Sequence, residues 1–190
     1  FISIYNRENH GQAKLQANVL FKQYPEETKL FMSIGMLFLQ HNKLEDAIIV
    51  LKKILDLKPN SVEVLINIGL AYYQLNQLEL ALEFLDRAQK LDIKKTEVYY
   101  SLGLVYEKKN DIKKALTYYK HATDVDSNNT DALVNLGNIY LQQNNFNNAK
   151  NTYEAALSTR PQDPNIYHSL GVAWTKLENI DEAIACYLNA

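Results

Sequence analysis

The chain has 190 residues, a formal charge of −2 and an isoelectric point near 6.1, with 47% hydrophobic and 22% charged residues. These are the values of a folded globular chain, and they exclude intrinsic disorder. Only three of its twenty basic residues are arginine, so the electrostatic footprint of phosphate-backbone binding is missing and nucleic acid is not expected as a partner. No apolar run approaches the roughly 18 residues of a membrane span, no signal-like segment opens the chain, and membrane insertion is not expected. Cys186 stands alone, which excludes an internal disulfide framework or a cysteine metal site.

In chain order, residues 1–27 predict mainly one helix, ended by Pro25. From residue 28 a single pattern repeats, in units 28–61, 62–95, 96–129, 130–163 and a truncated 164–190. Gly35, Gly69, Gly103, Gly137 and Gly171 fall 34 residues apart. Phe31, Leu65, Tyr99, Leu133 and Tyr167 stand four residues before them, and Ile34, Ile68, Leu102, Leu136 and Leu170 one before. Phe38, Tyr72, Tyr106, Tyr140 and Trp174 follow three after. Offsets of three, four and seven place these side chains on one stripe of a helix, here helix A, with the glycine admitting a close neighbour.

Seven residues after each glycine come Asn42, Asn76, Asn110 and Asn144, with Glu178 as the exception. Asparagine is the residue other than glycine that best tolerates the left-handed conformation that ends a helix, so helix A is expected to stop there. Helix B follows, marked by Ala47, Ala81, Ala115, Ala149 and Ala183, then by Leu51, Leu85, Tyr119, Tyr153 and Tyr187, then by Ile54, Ala88, Ala122, Ala156 and Ala190. Pro59 and Pro161 end two of the units, where Ile93 and Ser127 stand in the others, and Pro164 suits the first turn of a helix. Each unit reads as an antiparallel helix pair.

This pattern of glycine, alanine, interlocking aromatics and closing proline resembles the tetratricopeptide repeat over residues 28–190. Residues 1–27 resemble the tail of one further unit, with Ala13 and Pro25 in place, Gly11 and Ala17 fitting loosely, and Phe1 where a repeat glycine belongs. Both ends fall inside a unit, so a fragment of a longer protein is expected. The strict 34-residue step separates the chain from RNA-reading repeats with a 35-residue period. The resemblance implies an all-α solenoid, a right-handed superhelix whose concave groove is lined by helix A and holds another protein.

On that implication the groove positions can be read by offset. Three before the glycines stand Met32, Ile66, Tyr100, Val134 and His168; one after, Met36, Leu70, Leu104, Asn138 and Val172; four after, Leu39, Tyr73, Glu107, Leu141 and Thr175. The N-terminal half is apolar and carries both methionines, which suits an apolar or amphipathic segment of protein or peptide. Two before the glycines, Ser33, Asn67, Ser101, Asn135 and Ser169 are all polar. Asparagines here resemble the peptide-backbone ladder of repeat arms attached to glycosyltransferases; hydration or bonding within the helix is the other reading. The expected partner-binding residues are therefore Met32, Met36, Leu39, Ile66, Asn67, Leu70, Tyr73, Tyr100, Leu104, Asn135, Asn138 and His168.

The carboxylate clamp of chaperone-binding members needs basic side chains, and each of the first three consecutive triples of units lacks them at those positions, so a C-terminal carboxylate has no charge-assisted partner. No phosphate-cradling loop, G-x-S-x-G or H-E-x-x-H occurs, and His10, His41, His121 and His168 lack ligand spacing. No catalysis, cofactor or metal is expected. Trp174 reads as core, Cys186 as a small hydrophobe, and the lysine pairs Lys94-Lys95, Lys108-Lys109 and Lys113-Lys114, interleaved with acids, as a solvated rim. The leading expectation is a scaffold or adaptor. Its rivals are the substrate-recruiting arm of a larger enzyme such as a glycosyltransferase, and a self-associating assembly component. Compartment is open, with the cytoplasm the default.

Overall fold

The computed structural model describes residues 10–190, and among them all regular structure is helical. Residues 1–9, with Phe1 at the register of a repeat glycine, lie outside the described residues, as do the side chains of residues 10–14, where Ala13 falls. The described residues form two compact units that divide between Asp92 and Ile93. The first holds α1 (His10–Gln23), α2 (Thr28–Gln40), α3 (Leu44–Leu57), α4 (Val62–Gln74) and α5 (Leu78–Leu91). The second holds α6 (Thr96–Lys108), α7 (Ile112–Val125), α8 (Thr130–Gln142), α9 (Phe146–Thr159), α10 (Pro164–Lys176) and α11 (Ile180–Leu188). From α2 to α5, and again from α6 to α11, each helix packs on the next, and α8 also touches α10. Phe21 of α1 meets Phe31 of α2 edge to face at 4.7 Å. This is an all-α helical repeat solenoid in its class.

The ends of the helices have local causes. Asn42, Asn76, Asn110 and Asn144 hold φ of 57–61°, the left-handed region that asparagine tolerates among non-glycine residues. Around each, two backbone bonds close the helix: Asn42 N–H donates to Leu39 O at 3.0 Å and Lys43 N–H to Phe38 O at 2.8 Å, and the same pair recurs after α4, α6, α8 and α10. That is the Schellman arrangement, which satisfies carbonyls that would otherwise be orphaned. Glu178 occupies the fifth such position at φ 60°, with no side-chain feature that favours it. After helix B the chain turns at Lys58–Ser61 and Arg160–Asp163, closed by Ser61 N–H to Lys58 O and Asp163 N–H to Arg160 O. Pro59 and Pro161 sit at the second residue of these turns, where a fixed φ near −65° is pre-set. Side-chain N-caps appear in the second unit: Asp111, Asn129, Asp163 and Asn179 accept from backbone N–H groups of the first turns of α7, α8, α10 and α11.

The pairs are held where helix A crosses helix B. Ala47, Ala81, Ala115 and Ala149 are fully buried at the crossings. The glycines leave the space that the helix-B residue sixteen positions later fills. A methyl group at Gly35 would stand 2.8 Å from Leu51 Cδ2, and one at Gly137 would stand 2.6 Å from Tyr153 Cε1. The intruding side chain is leucine in the first unit (Leu51, Leu85) and tyrosine in the second (Tyr119, Tyr153, Tyr187), and the first four are fully buried. Around them Phe31, Ile34, Phe38, Leu65 and Ile68 fill the first unit, and Leu102, Leu133, Leu136, Ile139 and Ile166 the second. Burial of each such side chain contributes about 1.5–3 kcal/mol, against a helix propensity term near 1 kcal/mol for glycine, so packing decides these positions.

The difference between a flexible and a rigid neighbour can be measured. Gly137→Ala, which drives a methyl into a tyrosine ring that cannot yield, is expected to destabilise the chain by about 1–3 kcal/mol in guanidinium unfolding. Gly35→Ala meets the end of a leucine and gains helix propensity, so its cost is expected to stay under about 1 kcal/mol. Equal losses at both would show that ring rigidity is not what sets the cost. At the strained C-cap, Glu178→Gly is expected to stabilise by about 0.5–1 kcal/mol, since glycine adopts positive φ without steric cost.

Candidate partner-binding site

The helix-A side chains of the first unit form an apolar set with one amide in it. Met36, at mid-length of α2, is 37% exposed, and Met32, Leu39, Leu70 and Tyr73 are half-buried. Asn67 of α4 donates from Nδ2 to Met36 Sδ at 3.6 Å, which ties neighbouring A helices together through their exposed faces. Ile66 corrects the expectation: it is only 6% exposed and belongs to the core. Three residues before Gly69, it is counted among the buried apolar side chains of the first unit.

The second unit presents a different surface, built from below. Because Tyr119, Tyr153 and Tyr187 pass under the glycines of helix A, their hydroxyls emerge among the A-helix side chains. Tyr119 donates to Glu107 Oε2 at 2.6 Å and accepts from Asn135 Nδ2 at 3.3 Å. Tyr153 donates to Asn138 Oδ1 at 2.7 Å, and the Tyr187 hydroxyl lies 3.2 Å from Thr175 Oγ1. Tyr100 leans on Tyr119 with ring centroids 6.0 Å apart, Leu104 is half-buried, and the exposed His168 ring lies 5.7 Å from that of Tyr187. Burial pushes the Tyr153 hydroxyl up to about 12. Tyr119 is driven further above its ordinary value, first by burial and then by the Glu107 carboxylate beside it. Both phenols therefore remain protonated donors at any physiological pH.

The polar row two residues before the glycines divides by side-chain length. Ser33, Ser101 and Ser169 turn back onto their own helix, donating to Lys29 O, Glu97 O and Asn165 O at 3.1, 2.6 and 3.0 Å. Ser101 is buried. The longer asparagines, Asn67 and Asn135, reach other elements. Serines thus take the local option open to short hydroxyl side chains. Glu107, which the offset reading placed among the groove positions but outside the expected partner-binding set, and the helix-B tyrosines, which it did not place there, are further candidates. The leucine-to-tyrosine change sixteen residues after the glycine was the available signal, since a buried phenol requires a hydrogen-bond partner.

Other candidates have structural roles. Trp174 packs into the core of the second unit with Lys150 Nζ 5.0 Å from its ring centre. Cys186 is buried, and burial, followed by Glu182 and Glu154, pushes its thiol up and makes it a poorer nucleophile. Lys95 pairs with Glu97 at 3.4 Å and Lys114 with Asp111 at 3.6 Å, on the exposed rim. Among the described residues no cluster of histidine, cysteine or carboxylate side chains could hold a metal ion, and no helix is long and apolar enough to cross a membrane.

Comparison with known proteins places this architecture. Family models described as tetratricopeptide repeat and as TPR repeat match residues 107–170 and residues 35–76 and 69–110 respectively. No curated protein sequence matches. Among solved structures, MamA superposes with a TM-score of 0.72 at 28% identity, over 87% of this chain and 90% of that one. PilF of Pseudomonas aeruginosa gives 0.79 at 20% identity over 87% and 75%. YrrB, described as a TPR protein with an unusual peptide-binding site, gives 0.67 at 20% over 90% and 89%. Repeat models running from residue 35 to residue 170, over helix pairs closed by glycine against leucine or tyrosine, leave one assignment: the chain belongs to the tetratricopeptide repeat family.

Proposed function

We propose that this chain is a protein-interaction scaffold that holds a partner segment on its A-helix side. In the first unit the grip would be apolar, through Met32, Met36, Leu39, Leu70 and Tyr73 around the Asn67 amide. In the second it would be polar and aromatic, through Tyr100, Leu104, Asn135, Asn138 and His168. The observation that carries this reading is the exposed Met36 at mid-helix, among half-buried apolar neighbours and hydrogen-bonded through its sulfur. A polarizable, adaptable side chain in that setting suits an apolar or amphipathic ligand. YrrB, which shares this fold, is described as having a peptide-binding site, and that description supports the same use of the fold here.

For the leading reading, Met36→Glu and Tyr73→Glu variants of matched stability are compared with Ile49→Glu, which lies on the exposed side of α3. Cross-linked partners recovered with the unmodified chain are expected to weaken at least about tenfold with the A-helix changes, because a buried apolar contact worth about 1.5–3 kcal/mol becomes an unpaired charge. Retention there together with loss at Ile49→Glu would move the site to the helix-B side.

A further inference from the structure

In the second unit, side chains from three helices meet on one oxygen. The Tyr119 hydroxyl of α7 is bonded to Glu107 of α6 at 2.6 Å and to Asn135 of α8 at 3.3 Å. The chemistry orders these bonds. A carboxylate only accepts, so the phenol donates to it; the amide must then present its NH₂ to the phenol oxygen, which turns its carbonyl oxygen away. The acceptors this junction leaves unused are the second carboxylate oxygen of Glu107 and the amide carbonyl of Asn135. Tyr100 and Glu107, seven residues apart, lie on one face of α6 with Leu104 between them, and the Tyr100 ring stands beside Tyr119.

Charge separates Glu107 from its neighbours. Glu97 is matched by Lys95 at 3.4 Å and Asp131 by Arg160 at 2.8 Å. Glu107 receives its hydrogen bond from a neutral hydroxyl, which leaves the charge itself uncompensated by that bond. Two acceptors, one of them anionic, an aromatic face and an apolar floor complement a cation on an aliphatic stem. Such a site is opposite in charge to one for a C-terminal carboxylate.

We propose that Glu107, Asn135, Tyr100 and Leu104 form a specificity subsite for the ammonium group of a lysine in the bound partner segment. This rests on the reading that the A-helix side holds such a segment. Lysine fits better than arginine. The guanidinium fork seeks both oxygens of one carboxylate, and Tyr119 competes for one of them, whereas an ammonium divides its three donors among separate acceptors.

The test uses a phage-displayed library of random peptides, selected on the whole chain and on its Glu107→Gln variant, whose amide oxygen can still accept from Tyr119. Selected peptides are expected to share a lysine at a fixed distance from an apolar residue. Replacing that lysine by norleucine should weaken binding roughly tenfold, the scale of one charge-assisted hydrogen bond. In the Glu107→Gln chain the same replacement should cost little, so that the two changes are non-additive. Enriched peptides without lysine, with arginine in its place, or with a norleucine penalty that persists in Glu107→Gln would overturn the subsite and leave the scaffold reading standing. Failure to enrich any peptide would count against the scaffold reading and remove the subsite with it. If Glu107→Gln lowers stability, the loss on norleucine substitution measured with the unmodified chain, and its decline at high salt, decide the same question.

Discussion

The structure depends on the close crossing of helix A over helix B at a glycine. Each glycine leaves the volume of one side chain empty, and the residue sixteen positions later fills it; a methyl at Gly69 would stand 2.7 Å from Leu85 Cγ. Glycine is among the poorest helix formers, at about 1 kcal/mol less favourable than alanine. Its recurrence every 34 residues therefore reports a packing demand that outweighs propensity. Seating Leu51, Leu85, Tyr119 and Tyr153 in full burial returns more than the helix loses. The neighbouring alanines follow from the same constraint, since helices this close leave no room for larger side chains between their backbones.

What fills the seat divides the two units chemically. Leucine closes the crossing and ends there. Tyrosine closes it equally well with its ring, then carries a hydroxyl through to the other side of helix A. That hydroxyl, once buried, has to be paired, and it recruits Glu107 and Asn135, or Asn138. A change made in the core thus orders a polar surface. The first unit, lacking the phenols, keeps an apolar A-helix face, with a methionine sulfur accepting from Asn67. The side-chain N-caps also appear in the second unit, at Asp111, Asn129, Asp163 and Asn179.

Legibility in the sequence followed the range of the interaction. Helix ends were readable because their causes are local. Asn42, Asn76, Asn110 and Asn144 hold left-handed φ, and Glu178 shows that the backbone closure is strong enough to impose this on a residue with no preference for it. The candidate surface was only partly readable. Ile66 shares an offset with Met32 and Tyr100, yet the offset could not say which of the three turns inward. Nor could it say that Ser101 would be buried against its own helix while Asn135 reached across to Tyr119. Those outcomes depend on side-chain length and on the neighbour met, which differ between repeats at the same register.

The sequence by itself determined the helix pairs, their period, their crossings and their stops, because each rests on steric rules a few residues long, repeated in register. Only the tertiary structure decided which A-helix side chains stay exposed, and that buried tyrosines set the hydrogen-bonding polarity of the surface above them. The physical reason is that a phenol inserted from one helix selects its partners from two others, and such convergence has no signature in any single segment of chain.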